Sequence, residues 1–183
     1  LKNKVQINSK KELLIYSYRV AGTVGLMMAK ILNVKNRNSL KSAIDLGIAM
    51  QLTNISRDVI EDSKNNRFYI SNNFETIEET LNTADLFYES SFASIKEIPL
   101  SFRFSILVAR RIYRAIGNNI KKKKNLEDYK SSGKIYVGNL GKAIQTFLSV
   151  YDLIKLLLIK PGDHSRFLEH KIINEEINLN ERF

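Results

Sequence analysis

The segment Leu46–Asp62 constrains the fold of this chain more than any other stretch. Read as a helix at about 100° per residue, it carries apolar or small side chains around most of its circumference, interrupted by one polar stripe. Gln51, Asp58 and Asp62 fall within about 20° of a common line, and Asn54 lies about 60° from that line. A helix that is apolar nearly all round is buried, and polar groups on a buried helix need partners. The rest of the chain is therefore expected to pack around this helix.

Two carboxylates stand one helical turn apart in the polar stripe, at Asp58 and Asp62. Like charges at this spacing repel each other unless a positive charge lies between them. Mg²⁺ takes hard oxygen ligands, usually together with water and substrate phosphates, so the stripe indicates a divalent-cation site. Taken alone, the D-x-x-x-D spacing is also explained by a solvated pair of charges, or by a buried carboxylate matched by an arginine.

A second helix is predicted over residues 11–32, and it contains small residues within one turn at Ala21, Gly22 and Gly25. A glycine inside a helix costs roughly 1 kcal/mol relative to alanine. The glycines therefore indicate that another backbone or a ligand passes close to this face. Tight packing between helices, without a ligand, is the alternative explanation.

The central helix is predicted to start at residue 40 and end near residues 63–66, amphipathic helices are predicted over residues 74–96 and 100–123, and a final helix over residues 140–158. No segment sustains the alternation of a strand. With 183 residues and 44% hydrophobic composition, the chain is long enough for one sizeable core. We predict a single all-helical domain over residues 1–183. The last helix is expected to be closed by Pro161 and Gly162, with a polar tail from about residue 163.

The formal charge of +10 favours an anionic partner: nucleic acid, anionic lipid or diphosphate. A lysine-rich composition by itself gives the same charge. The run Lys121–Lys124 fits a solvated helix end, and no RNA-binding signature or zinc spacing accompanies it, so nucleic-acid binding is not predicted. His164 and His170 are predicted to be surface residues and not metal ligands.

The cysteine content and the length of the apolar runs predict a cytoplasmic location. Cysteine is absent, which fits a reducing cytoplasm. The most apolar run, residues 153–159, is too short to cross a membrane, and burial on the bundle is the expected role. A peripheral contact of this run with the inner membrane is the alternative.

Two longer segments resemble the signatures of one family. Residues 46–69, LGIAMQLTNISRDVIEDSKNNRFY, resemble the second aspartate-rich motif of the squalene/phytoene synthase family, and residues 16–27, YSYRVAGTVGLM, resemble its YCxRVAGxVG motif. The two segments stand in the family's order and at its separation, and phytoene synthases look nearest. Ser17 replaces the usual cysteine, and Ser71 stands where the family often has proline.

This resemblance implies the isoprenoid synthase fold, a helical bundle around a deep apolar cavity. It implies the head-to-head condensation of two geranylgeranyl diphosphates to phytoene through a cyclopropyl diphosphate, the first step of carotenoid biosynthesis. The implied cofactor is Mg²⁺, or alternatively Mn²⁺. Squalene or dehydrosqualene synthesis, and a non-catalytic assembly protein on the same fold, are the alternative functions.

The resemblance also assigns roles to residues of this chain. Tyr16 is implied to steady a carbocation and assist proton movement, and Asp58 and Asp62 are implied to be catalytic. The implied metal ligands are Asn54, Asp58 and Asp62. The residues implied to bind prenyl diphosphate are Gln51, Asn54, Arg57, Tyr129 and Lys134. Lys134 replaces the more usual arginine, which keeps the charge but loses bidentate geometry.

The family's first aspartate-rich motif lies upstream of the YCxRVAGxVG motif. Only fifteen residues precede Tyr16, and Glu12 is the single acid among them. We therefore expect the C-terminal portion of such an enzyme, with the N-terminal part as its missing partner, and no phytoene synthesis by this polypeptide alone. A split-gene product and a degenerate binding protein are the alternatives to a fragment.

Overall fold

The computed structural model describes residues 4–160, 164 and 167–176. The described helices are α1 (Lys10–Ser17), α2 (Thr23–Ile31), α3 (Arg37–Lys64), α4 (Phe74–Phe92), α5 (Leu100–Lys121), α6 (Leu126–Ser131), α7 (Asn139–Leu158) and α8 (Leu168–Glu176). A π-helical turn at Tyr18–Gly22 joins α1 to α2, and a 3₁₀ turn at Ala93–Glu97 follows α4. The prediction of an all-helical fold is confirmed.

Helix α3 is the centre of the bundle and packs against α2, α4 and α5. It begins where the Asn36 side chain accepts a hydrogen bond from the Ser39 backbone N–H, an N-cap that satisfies an otherwise unpaired donor. Ile48 and Leu52 are fully buried in the main hydrophobic core. The helix ends before Asn66, whose φ of 59° breaks the helical path. A two-residue parallel pairing of β1 (Val5–Gln6) with β2 (Arg67–Phe68) ties the N-terminal segment to the end of α3.

The small residues predicted to mark a close approach lie where the backbones of α2 and α3 meet. A Cβ atom at Gly47 would stand 2.2 Å from the carbonyl oxygen of Ala21, and one at Gly25 would stand 2.1 Å from that of Ala43. Real Cβ atoms do not come this close to an oxygen. The glycines therefore let two helix backbones pack directly on each other, as the sequence predicted.

The C-terminal part corrects two predictions from the sequence. The segment expected to be a polar tail contains α8, which packs on α1 and pairs Lys10 with Glu169 at 2.7 Å. His170 is buried, and both histidines contact the buried carboxylate of Asp45, so the prediction that they are surface residues is wrong. The physical reason is that Asp45, buried on α3, needs hydrogen-bond donors, and the two imidazoles supply them. Pro161 and Gly162 lie outside the described residues.

Helix α7 is less buried than expected. Within the run 153–159, Leu156 is in the core, whereas Ile154, Leu157 and Leu158 are exposed. The expectation that this run is buried is therefore met at one face of the helix only. Among the helices that the structure describes, none combines the length and apolarity needed to cross a membrane.

Candidate functional site

An apolar cavity of about 420 Å³ lies between α2, α3, the 3₁₀ turn and α5. Gln51 and Asn54, from the polar stripe of α3, are in its wall. Most of the lining is apolar or small and includes Val24, Met28, Leu46, Met50, Ile95 and Ile106. The volume is within the range of about 300–1,000 Å³ that is usual for small-molecule sites. Helix α3 thus presents the side-chain amides of Gln51 and Asn54 to an apolar cavity. Asp58 and Asp62 follow about one and two helical turns after Asn54.

Asn54 carries an unsatisfied polar atom at this cavity. Its side-chain oxygen is buried and has no hydrogen-bond partner among the described residues. A buried acceptor without a partner is costly, and it is uncommon in native structures unless the group serves a ligand. An amide oxygen of this kind is suited to a hard divalent cation.

Asp58 is neutralised by two cations. Arg57 donates from Nε to Oδ1 at 2.9 Å and from Nη2 to Oδ2 at 2.6 Å, and Nζ of Lys134 lies 3.1 Å from Oδ1. Burial by itself raises the pKa of Asp58, but these two partners outweigh it and hold that pKa below its ordinary value. Asp58 is therefore ionised at neutral pH, and its two positive partners are also groups that can bind a diphosphate.

Asp62 stands in a different environment. Burial and then the charge of Asp58 raise the pKa of Asp62 above its ordinary value, and its cationic neighbour Arg67 is 3.9 Å away. The side chains of Asp58 and Asp62 are each 18% exposed, so neither points into bulk solvent. The stripe thus contains one carboxylate with two close cationic partners and one whose nearest ion pair is longer and weaker.

Tyr16 lies near the Asp62 end of the stripe. Its ring stacks on Tyr69 with a centroid distance of 4.9 Å, and its hydroxyl donates to that of Tyr69 at 3.1 Å. Burial, the Tyr69 hydrogen bond and the charge of Asp62 raise the pKa of Tyr16 to about 12. The Tyr16 hydroxyl therefore keeps its proton at neutral pH.

Tyr129 and Lys134, both predicted to contact diphosphate, are in different situations. Tyr129 is buried, and its hydroxyl donates to the backbone carbonyls of Ser56 at 2.9 Å and Arg57 at 2.6 Å. This places α6 against α3 and commits the hydroxyl proton to the backbone, so a diphosphate contact from Tyr129 stays a prediction that requires this bond to open. Lys134 is exposed and bridges Glu61 at 2.7 Å and Asp58 at 3.1 Å, which leaves it next to the stripe.

The residues present fit a divalent cation. The unpartnered oxygen of Asn54 and the carboxylates of Asp58 and Asp62 lie along one side of α3 at successive turns, and all three donors are oxygens, as Mg²⁺ or Mn²⁺ requires. Gln51 precedes Asn54 by three residues on α3 and also lines the cavity.

Two residues near the stripe were not predicted from the sequence as parts of the site. Tyr113 of α5 lines the cavity and lies close enough to Arg57 to affect its pKa. Tyr69 holds Tyr16 in place. The position of Tyr69 just after α3, within the segment that resembles the family motif, was a signal for it. Tyr113 had none, because its helical spacing is that of an ordinary core residue.

We expect Asp62→Asn to stabilise the chain in the absence of added metal, by about 0.5 kcal/mol after solvent screening. Because the folded pKa of Asp62 lies above its unfolded value, the penalty develops as the pH rises through the folded pKa and is fully present at pH 7. It should vanish below the unfolded pKa. Urea unfolding at pH 7 and pH 3 measures the difference. Asp58→Asn, which leaves Arg57 without its carboxylate, should destabilise the chain at pH 7, and an equal effect of the two variants would contradict the assignment.

Known proteins resemble this chain over parts of its length. A family model described as squalene/phytoene synthase matches residues 1–74. The chain is 39% identical over 129 residues to a 15-cis-phytoene synthase of Paracoccus sp., which covers 61% of this chain and 42% of that relative. It is 29% identical over 182 residues to the chloroplastic phytoene synthase 1 of Zea mays, which covers 84% of this chain and 43% of that relative.

A shorter match has a higher sequence identity. Over 66 residues the chain is 50% identical to a phytoene synthase of Thermus thermophilus, which covers 36% of this chain and 22% of that relative. The chain spans less than half the length of each of these curated relatives.

Proposed function

We propose that the chain is a member of the squalene/phytoene synthase family, whose model matches residues 1–74, and that the polar stripe of α3 binds the diphosphate of a prenyl diphosphate through Mg²⁺ or Mn²⁺. The prenyl chain would lie in the apolar cavity. One observation carries this proposal: Gln51 and Asn54 lie in the cavity wall, and Asp58 and Asp62 continue the same line of α3 beyond them. An amphiphile with an anionic head and a long apolar tail matches this arrangement, in which an apolar cavity adjoins a polar stripe.

The cationic side chains support the same assignment. A diphosphate that leaves an allylic carbon carries charge that has to be neutralised as it develops. Arg57 and Lys134 already meet at Asp58, so a short side-chain movement brings either to a diphosphate beside the stripe. A cation held by Asn54, Asp58 and Asp62 would supply Lewis-acid stabilisation of the leaving group. Lys134 would contribute a point charge, and Arg57 a forked pair of donors.

The reaction proposed for the whole enzyme is the condensation of two geranylgeranyl diphosphates to phytoene. The first substrate loses diphosphate, and the double bond of the second attacks the allylic cation and loses a proton to form a cyclopropyl diphosphate. This intermediate then loses the second diphosphate, rearranges and releases a second proton. The relatives described above are phytoene synthases by name, which favours phytoene as the product over squalene.

Tyr16 is proposed to serve the cationic stages. An aromatic ring stabilises a nearby cation through its electron-rich face, and Tyr16 stands beside Asp62, outside the lining of the apolar cavity. Because its pKa is raised to about 12, the hydroxyl of Tyr16 donates a hydrogen bond at neutral pH and does not act as a free base. A proton could pass between Tyr16 and Tyr69 along their 3.1 Å hydrogen bond.

Calorimetric binding of geranylgeranyl thiodiphosphate, an analogue that ionises poorly, tests the proposal. We expect binding that requires Mg²⁺ and weakens at least about 10- to 100-fold in Asp58→Ala, because losing a direct ligand should cost no less than losing an outer-shell one. Asp85→Ala is the matched control, because Asp85 pairs with Arg114 and Lys121 away from the stripe. Binding that is independent of Mg²⁺, or equal in the two variants, would refute the proposed site.

A cytoplasmic location with a peripheral contact to the inner membrane stays a prediction. The exposed apolar side chains of α7, among them Ile154, Leu157 and Leu158, support such a contact. Co-sedimentation of the chain with vesicles of anionic and neutral lipid would measure it.

A further inference from the structure

Four polar side chains from distant parts of the chain meet in the core, on the side of α3 away from the polar stripe. Asp45 is 1% exposed, and its Oδ2 lies 3.0 Å from Nε2 of His164 and 2.9 Å from Nε2 of His170. Ser90 of α4 also donates to this oxygen at 2.6 Å. The chain contains two histidines and no cysteine, so both of its imidazoles converge on one buried carboxylate. Two imidazoles and a carboxylate are also standard ligands of transition metals.

We propose that Asp45, His164 and His170 form a zinc-type metal site that fastens α8 to α3. Imidazole nitrogen and carboxylate oxygen are standard zinc ligands, with bonds of about 2.0–2.2 Å, which places the ligand atoms of a tetrahedral site about 3.3 Å apart. The three ligand atoms here all lie within 4.8 Å of one another. Opening the two short contacts by a few tenths of an ångström makes room for the ion. A water would complete the coordination.

The donor set selects the class of metal. Two imidazoles and one carboxylate suit Zn²⁺ and neighbouring transition metals, whereas Mg²⁺ takes oxygen donors. The surroundings hold the ligands in place: the ring of Phe167 stacks on His170 at 5.4 Å, Phe87 meets that ring edge-on at 5.1 Å, and Ser90 fixes the carboxylate. Ordered outer-shell contacts of this kind orient metal ligands.

One feature of His170 sets the expected affinity. Its Nδ1 is buried and has no hydrogen-bond partner among the described residues. Metal-bound histidines usually donate from the second nitrogen, and losing such an outer-shell partner typically weakens metal binding by about 10- to 100-fold. We therefore expect a zinc site that binds about 10- to 100-fold more weakly than a fully supported structural site.

This site is separate from the polar stripe. Asp45 precedes Asp58 by thirteen residues on α3, which corresponds to about 19 Å along the helix axis and about 140° around it. The ion would join three parts of the chain: α3, the segment at His164 and α8. The proposal does not depend on the diphosphate site, and either can fail alone.

Titration of the untagged full chain with Zn²⁺ in the presence of excess Mg²⁺ tests the proposal. We expect one Zn²⁺ per chain, an increase in the thermal unfolding midpoint, and visible d–d bands when Co²⁺ is used instead. Asp45→Asn and His170→Gln should weaken Zn²⁺ binding at least about 30-fold, the middle of the range above. Asp85→Asn is the matched control, because Asp85 pairs with Arg114 and Lys121 away from both sites, and this variant should bind Zn²⁺ like the unaltered chain.

A second measurement needs no variant and covers the case in which a substitution prevents folding. Because the chain has two histidines, ¹⁵N spectra of the imidazoles contain signals from two rings only. Zn²⁺ should shift the Nε2 resonances of both rings in the folded chain. Unchanged imidazole resonances at saturating Zn²⁺, or Zn²⁺ binding that survives in both Asp45→Asn and His170→Gln, would overturn the proposal and leave a cluster held by hydrogen bonds alone.

Discussion

Replacing Gly47 by alanine is expected to lower the free energy of unfolding by about 3 kcal/mol, the upper end of the range for overpacked cores. The added Cβ would stand 2.2 Å from the carbonyl oxygen of Ala21 and 2.7 Å from its carbonyl carbon. Both are backbone atoms of the neighbouring helical segment and cannot rotate away. Relief requires the π-helical turn and α3 to separate, which disrupts the packing of Ile44 and Ile48 against Gly22.

Urea unfolding followed by circular dichroism measures this effect, and Gly117→Ala is the matched control. Gly117 is also inside a helix, but its added Cβ would meet a methyl group of Leu81 at 3.1 Å, which can move. The helical preference for alanine, about 1 kcal/mol, offsets that contact. We expect a change within about 1 kcal/mol of zero in the control. Equal effects of the two variants would show that the close approach of the two backbones does not cause the loss of stability in Gly47→Ala.

Asp152→Ala is expected to release α7 from the bundle, at a cost of about 3 kcal/mol in local stability. Asp152 is 5% exposed and accepts two hydrogen bonds from Arg111 of α5, at 2.5 Å from Nε and 2.7 Å from Nη2. Removing the acid leaves a largely buried guanidinium without its counter-charge. Helix α7 buries few other side chains, Ser149 and Leu156 among them, so apolar contacts cannot compensate.

Hydrogen exchange resolved along the chain tests this directly. In Asp152→Ala the amides of α7 should lose protection while those of α3 and α4 keep it, because local opening exposes one helix at a time. Asp85→Ala is the control: its ion pairs with Arg114 and Lys121 are more exposed, and such pairs contribute less than about 1 kcal/mol. Unchanged protection of α7 in Asp152→Ala would mean that its apolar face holds the helix in place.

The central helix and its polar stripe could be predicted because both depend on local geometry. A helix repeats every 3.6 residues, so the spacing of Gln51, Asp58 and Asp62 assigns them to one side before any tertiary contact is known. Ala21, Gly22 and Gly25 predicted the close approach of a backbone or a ligand for a similar reason. A residue without a side chain inside a helix is costly unless something occupies the space.

The charge balance of the stripe could not be predicted in this way. Arg57 and Asp58 are adjacent in sequence, and adjacent residues on a helix do not normally face each other. In the folded chain the Arg57 side chain nevertheless makes a bidentate contact with Asp58. Lys134 reaches the same carboxylate from beyond α6, and Tyr129 is turned to the backbone of α3 instead of to a ligand. The contacts of Lys134 and Tyr129 with α3 each span a loop whose path no periodicity describes.

The sequence by itself determined the helical class, the central position of α3, and the line of polar groups that the family resemblance identifies with diphosphate chemistry. These properties follow from the order of residues within single helices. Only the tertiary structure decided which carboxylate is neutralised, that α8 exists as a packed helix, and that His164 and His170 meet Asp45 from positions 119 and 125 residues away. Long-range pairs of this kind depend on how separate helices pack, and burial turns a carboxylate that is unremarkable in the sequence into one that must find partners.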